Sequence, residues 1–236
     1  ICSLLAAHDT RADVRVFVFD GKAALPSATP NYRKPPKTVR GPLIEQIDAT
    51  VRMVLDEIAK GVTLSGSGFK AKHAYPERVV KEAIVNAVIH RDYRLNRDIF
   101  IRIFDDRIEV ESPGTFPGNI TAENIMRAGS KARNPLIAAN LREFSNAPNI
   151  DAGEGVKAMF AEMDEAQRYP PQYRQSTEAA VEHITLTLFN LERPTAWDEV
   201  SHWIDKNGPI GNSQLREIAK VDLAGASLML REWVQQ

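Results

Sequence analysis

Cysteine is nearly absent from this 236-residue chain: Cys2 stands alone, so no internal disulfide can form, and such usage suits a reducing compartment. No stretch approaches the ~18 consecutive apolar residues of a membrane span, and the start lacks the basic and long apolar regions of a secretory signal. The cytoplasm is therefore the expected location, with no membrane partner. Charge of either sign is not in excess. Thirty basic residues face 31 acidic ones, a net charge of −1, so no overall pull toward nucleic acid exists and any DNA contact has to be local. One Cys and five His residues supply no zinc-ligand spacing. The G-x-S-x-G signature of a serine nucleophile is missing, and Ser67 has no paired base. The glycines of SGSGFKAK (65–72) are not followed by the G-K-[S/T] of a phosphate loop, so this segment reads as a flexible loop.

What is present is an ordinary globular composition, 43% hydrophobic and 26% charged, enough for one large domain or two small ones. The chain opens at Ile1 rather than Met and reads as a fragment lacking a domain upstream. The most informative segment is YPERVVKEAIVNAVIHRDY (75–93). Pro76 suits the first turn of a helix, and Val79, Val80, Ala83, Ile84, Val85, Ala87, Val88 and Ile89 make that helix apolar on most sides. Glu82, Asn86 and His90 follow at four-residue steps along the remaining stripe. A carboxylate, an amide and an imidazole on a largely buried helix must find partners, since an unpaired buried polar group costs roughly 1–3 kcal/mol. A metal ion carrying a phosphate ligand would satisfy all three, although an ordinary polar helix face carries the same residue types.

Four blocks in order carry a resemblance: EAIVNAVIHRDY (82–93), DDRIEVESPGTFPG (105–118), ARNPLIA (132–138) and GEGVKAM (153–159). The Glu82-x-x-x-Asn86-x-x-x-His90 spacing resembles the N-box of the GHKL ATPases (gyrase, histidine kinase and MutL type). The run from Tyr75 to Phe160 is similar to the divergent ATP-binding domain of bacterial AlbA_2-type transcriptional regulators, sometimes labelled helicase-related. The resemblance implies an α/β class: a GHKL-like two-layer sandwich, a mixed sheet with helices on one face. It also implies ATP and Mg²⁺ as ligands. Glu82 would orient and polarise the attacking water, and Asn86 would ligate Mg²⁺ through its amide oxygen, both reasonable for a hard cation and a developing phosphate charge. His90 would bond a phosphate or cap the helix end near Arg91 and Asp92. Gly153 and Gly155, at a helix start, would offer backbone N–H groups to phosphate, and Lys131 and Arg133 would add positive charge from a lid over residues 118–150. The family's Asp-x-Gly-x-Gly is replaced by ESPGTFPG: Ser112 stands where an acidic residue or Asn would accept the adenine amino group, Gly114 matches the first glycine, and the next is displaced to Gly118.

Along the chain, Val14–Asp20 alternates as a strand that resembles the end of an upstream AlbA_2-like domain. Residues 22–40, rich in proline, read as an irregular linker, giving expected domains of 1–40, 41–192 and 193–236. A helix is expected from Pro42 until Gly61 stops it, a hairpin over Ile99–Val110, and a short helix capped by Thr121 to about Ala128. Further helices are expected from Leu136 to about Phe144 and from Gly155, with a last strand at Ile184–Leu188. Three short helices follow (196–206, 212–219, 223 onward), read as a winged helix without its wing. The last has Arg231 as its only basic residue, so Met229, Leu230 and Trp233 serve a homo-oligomer interface or core packing as readily as DNA. The function read from all this is a cytoplasmic ATP-binding transcriptional regulator with slow or absent hydrolysis, at most a weak ATPase, whose nucleotide sets the arrangement of flanking domains. The alternative is a non-catalytic DNA- or protein-binding regulator with a degenerate nucleotide site.

Overall fold

The computed structural model describes residues 12–25, 29–65, 68–129, 131–145, 147–148, 154–176, 182–193 and 196–234. The chain divides into two compact units between Leu191 and Glu192. In the first, strands β1 (Val14–Phe19), β2 (Tyr32–Val39), β5 (Ile99–Ile103), β6 (Arg107–Pro113), β7 (Gln172–Ser176) and β8 (His183–Phe189) form one sheet, ordered β2-β1-β5-β6-β8-β7. Only the β1–β5 pairing is parallel; the other four are antiparallel. Parallel neighbours require a crossover. Here the crossover carries helix α1 (Leu43–Glu57), a two-stranded hairpin of β3 (Ala59–Ser65) and β4 (Gly68–His73), and helix α2 (Glu77–His90). Helices α3 (Pro135–Arg142) and α4 (Gly155–Glu165) lie between β6 and β7 in sequence. This is the expected mixed α/β sandwich. Among the described residues no helix is long and apolar enough to cross a membrane.

The core follows from the alternation of the strands. Val14, Val16 and Val18 of β1, Ile99, Ile101 and Ile103 of β5, Ile108 and Val110 of β6, and Leu186 and Leu188 of β8 are buried in one cluster with Leu43, Ile47 and Val54 of α1 and nearly every apolar residue of α2. Helix α2 is the central element. Eight of its residues are buried, which leaves Glu82, Asn86 and His90 at intermediate exposure on its polar stripe. On alternate strand positions, Glu111, only 5% exposed, accepts from Arg97 (2.5 Å) and Arg102 (2.7 Å). Burial opposes its ionisation, but Arg102 and Arg97 outweigh that and hold its carboxyl below the usual range.

Several local expectations are corrected. Residues 32–39 are not a linker but the edge strand of the main sheet, so the boundary expected near residue 40 falls inside the first unit. An edge strand needs partners on one side only, and its register slips between Val16 and Val18, where Pro35 and Pro36 sit, so the prolines are absorbed by a bulge. Helix α1 ends at Glu57; Gly61, at φ +114°, serves the register shift inside β3. Of the SGSGFKAK segment, expected as a loop, Ser65 ends β3 and residues 68–72 lie in β4, with Gly66 and Ser67 outside the described residues. Thr121 opens turns rather than a helix: its hydroxyl accepts from Asn124 N–H (3.3 Å) while Asn124 Oδ1 accepts from Thr121 N–H (2.8 Å). Strand β7 is an element the sequence reading did not anticipate.

The second unit has helices α5 (Ala196–Asn207), α6 (Asn212–Ala219) and α7 (Leu223–Val234), where three helices were expected. Val200, Leu215 and Ala226 form its buried centre, with Met229, Leu230 and Trp233 packed against them. The Trp197 and Trp233 rings meet edge to face at 5.0 Å. Packing thus accounts for Ala226, Met229, Leu230 and Trp233 of α7, while Leu223 and Leu228 stay exposed.

Candidate functional site

The polar stripe of α2 opens on a cavity of about 740 Å³, within the range of about 300–1,000 Å³ that small-molecule sites occupy. Its floor is the sheet: Val110 and Ser112 of β6, Ile184 and Leu186 of β8, and Tyr173 of β7. Ladder register sets them in rows, with Val110 opposite Leu186 opposite Tyr173, and Ser112 opposite Ile184. The start of α4, with Gly155 and Val156, forms another side, and Ile120, Ile125, Ala128, Lys131 and Ala138 form the remaining wall. The segment expected as a lid therefore borders the cavity.

Asn86 Nδ2 donates to Glu82 Oε1 at 2.9 Å. Carboxylate and amide are tied together on one stripe, and the bond leaves the Asn86 amide oxygen available as a hard ligand. The Glu82 carboxylate lies against Gly155 at the start of α4: a Cβ there would overlap Glu82 Oε1, so the carboxylate keeps this place only beside a glycine. Its neighbour Gly153 lies outside the described residues. The Ser112 hydroxyl donates to the Ala87 carbonyl at 2.9 Å, joining β6 to α2 and keeping its lone pairs for a ligand N–H.

His90 lines the same cavity, and its Nδ1 accepts from the Arg133 backbone N–H at 3.4 Å. Burial, reinforced by the nearby Arg133 guanidinium, lowers its pKa to about 4, so the imidazole is neutral at pH 7. With Nδ1 accepting, its proton resides on Nε2. Capping of the α2 C-terminus falls instead to Asn134, whose amide donates to the carbonyls of Ile89 (2.7 Å) and Arg91 (2.8 Å).

Two expected ligand residues do not line the cavity. Arg133 bonds Asp92 Oδ2 (3.3 Å), the Thr115 carbonyl and Thr115 Oγ1 (3.1 Å), and so clamps the HRDY corner to the loop after β6. Gly114, at φ +111°, is buried beneath Asp92: a Cβ there would stand 2.9 Å from Asp92 Cβ. Asp92 is itself held ionised by the Arg94 hydrogen bond, with Arg133 adding to it, which outweighs partial burial and brings its pKa down to about 2. Arg91, 1% exposed, donates to the Leu95 and Arg97 carbonyls and lies 4.9 Å from the Tyr93 ring centroid. These residues brace the end of α2. Residues that the sequence reading passed over also border the cavity, among them Lys81, Arg142 and Lys157, with Phe116 and Tyr173. For Lys81 the signal was present, since it precedes Glu82 in the same motif. Phe116 and Lys157 likewise lie in the quoted blocks 105–118 and 153–159, whereas Arg142 and Tyr173 come from elements that only the fold brings to the cavity.

Over residues 96–185 the chain matches a family model described as "Putative ATP-dependent DNA helicase recG C-terminal". The matched span runs from β5 to the start of β8 and includes Ser112, Lys131, Gly155 and Tyr173, but begins after the α2 stripe. A solved structure, the DIP2311 protein from Corynebacterium diphtheriae, superposes with a TM-score of 0.59 at 22% identity, over 94% of this chain and 47% of that one. At that identity the likeness concerns the fold, and the chain spans about half the length of that protein. No curated protein matches. The family match supports an ATPase-like domain over residues 96–185, and the solved structure adds the fold alone.

The donor set fits magnesium. Among the described residues no cluster of three or more His, Cys, Asp or Glu side chains forms an all-protein metal cage. One amide oxygen beside a carboxylate suits a cation that keeps its waters and takes its remaining ligands from phosphate.

Proposed function

We propose that the cavity binds an adenine nucleotide together with Mg²⁺, with slow or absent hydrolysis, in a transcriptional regulator where occupancy governs neighbouring DNA- or partner-binding regions. The observation that carries this reading is the convergence of Glu82, Asn86, His90, Ser112, Lys131 and Gly155 on one cavity with an apolar floor. Each has a task there. Ser112 accepts the base amino group, and Ile184 beside it in the same row of the sheet covers the base's flat face. Lys131, the Gly155 end of α4 and the protonated His90 Nε2 receive phosphate oxygens. Asn86 supplies the oxygen for Mg²⁺, which when bound neutralises phosphate charge and makes the phosphorus more susceptible to attack. Glu82, oriented by the Asn86 amide, holds a water and takes its proton. The match to an ATPase-like domain family over residues 96–185 supports nucleotide binding by this unit.

The same geometry favours slow over fast turnover. The Glu82 carboxylate lies at the α4 start, where a phosphate is also drawn, and two like charges compete for that place. The second reading, a regulator without a working nucleotide site, draws on this competition and on Gly114 and Arg133 being packed away from the cavity. Asn86→Ala separates the two. It is expected to abolish Mg²⁺-dependent ATP binding while leaving the melting temperature within a few degrees of the parent; unchanged affinity would remove Asn86 from the metal site.

A further inference from the structure

Tyr173 lies on the edge strand β7, in register with Leu186 and, through it, with Val110, so its ring completes the cavity floor. The Phe116 ring, 6.2 Å away between centroids, holds it from the side. Its hydroxyl is enclosed and has no hydrogen-bond partner among the described residues. Such a group costs roughly 1–3 kcal/mol, and native proteins leave few of them without a functional reason. Burial, with the Glu82 charge adding to it, pushes the phenol pKa well up, so the group is held as O–H.

We infer that Tyr173 is a ligand-recognition residue, its hydroxyl donating a hydrogen bond to an oxygen of the sugar–phosphate part of the nucleotide bound in this cavity. The inference rests on the nucleotide reading above and adds a specificity contact to it. Ser112 and Ile184 occupy one row of the sheet and Val110, Leu186 and Tyr173 the next. A base held at Ser112 leaves the sugar and phosphates to the second row, beside Glu82. A neutral donor suits that position, since it serves an anionic oxygen without neutralising Glu82. The phenol also fixes ligand polarity: an occupant must present an acceptor there, and one that presents only apolar surface leaves the hydroxyl unpaired.

Calorimetric titration with Mg²⁺-ATP of the parent chain, Tyr173→Phe and Tyr75→Phe, together with thermal melts of each without nucleotide, tests this. Tyr75 is the control: its hydroxyl is likewise enclosed without a partner among the described residues, but it borders no part of the cavity. Tyr173→Phe is expected to bind roughly 3- to 10-fold more weakly, the worth of one hydrogen bond, and to melt at the same temperature as the parent or higher. Tyr75→Phe is expected to bind as the parent does. Two outcomes overturn the inference alone: parent-like affinity in Tyr173→Phe, or a lower melting temperature in that variant without nucleotide, which would give the hydroxyl a structural partner. Absence of binding in the folded parent would instead overturn the nucleotide reading, and the inference with it.

Discussion

Glycines 114 and 155 show how one residue type serves two ends in the same unit. At Gly155 an added Cβ meets the tip of a flexible side chain, the Glu82 carboxylate. Gly155→Ala should therefore displace that carboxylate and stop any hydrolysis while changing stability by roughly 1 kcal/mol or less. At Gly114 the backbone itself has φ +111° and the obstacle is Asp92 Cβ, so Gly114→Ala should cost about 1–3 kcal/mol in a denaturant titration, with no specific effect on turnover. The opposite pattern would mean that Gly114, not Gly155, is the functional glycine. His90 carries a pH signature. Its folded pKa, about 4, lies below the unfolded value of about 6.5, so between these limits the unfolded chain binds a proton that the folded chain refuses. Stability is fully present above about pH 6.5 and falls as pH drops toward 4, by up to on the order of 3 kcal/mol. Asp92, with its pKa at about 2, acts with the same sign at lower pH. In His90→Gln, unfolding free energy measured from pH 7 to 4 should fall less steeply; a parallel decline would assign the loss elsewhere.

Helix α2 is the element on which the site depends, and its C-terminus is held by a side chain far away in sequence. Asn134→Ala would leave the Ile89 and Arg91 carbonyls without their donor. A loss of about 1–3 kcal/mol is expected, together with weaker nucleotide binding as the His90 turn frays. An unchanged melt would show that other groups cap the helix. The apolar positions of α2 are dense enough that its burial, and the isolation of Glu82, Asn86 and His90 on one stripe, can be read directly from residues 77–90. The β5–β6 hairpin and the three C-terminal helices were legible for the same reason. Strand β2 was not, because proline argues against a ladder unless the strand is known to be an edge, and edge position is a tertiary fact. Strand β7 was equally hidden: QYRQS is mostly exposed and polar, so it carries little hydrophobic alternation. With it went Tyr173, whose place in the cavity exists only through its register with Leu186. Arg133 shows the converse. A basic residue in a presumed lid suggests phosphate binding, but its guanidinium is taken up by Asp92 and Thr115.

At the scale of the molecule, the first unit supplies a sheet with an anchored helix stripe above it and a cavity between them, and the second supplies a small three-helix body. The central claim concerns the cavity, and calorimetric titration of the folded chain with ATP, ADP and GTP, each with and without Mg²⁺, tests it most directly. The account predicts saturable binding of the adenine nucleotides that depends on Mg²⁺, with GTP much weaker. No heat with any nucleotide from a folded sample, or binding indifferent to both base and metal, would contradict it.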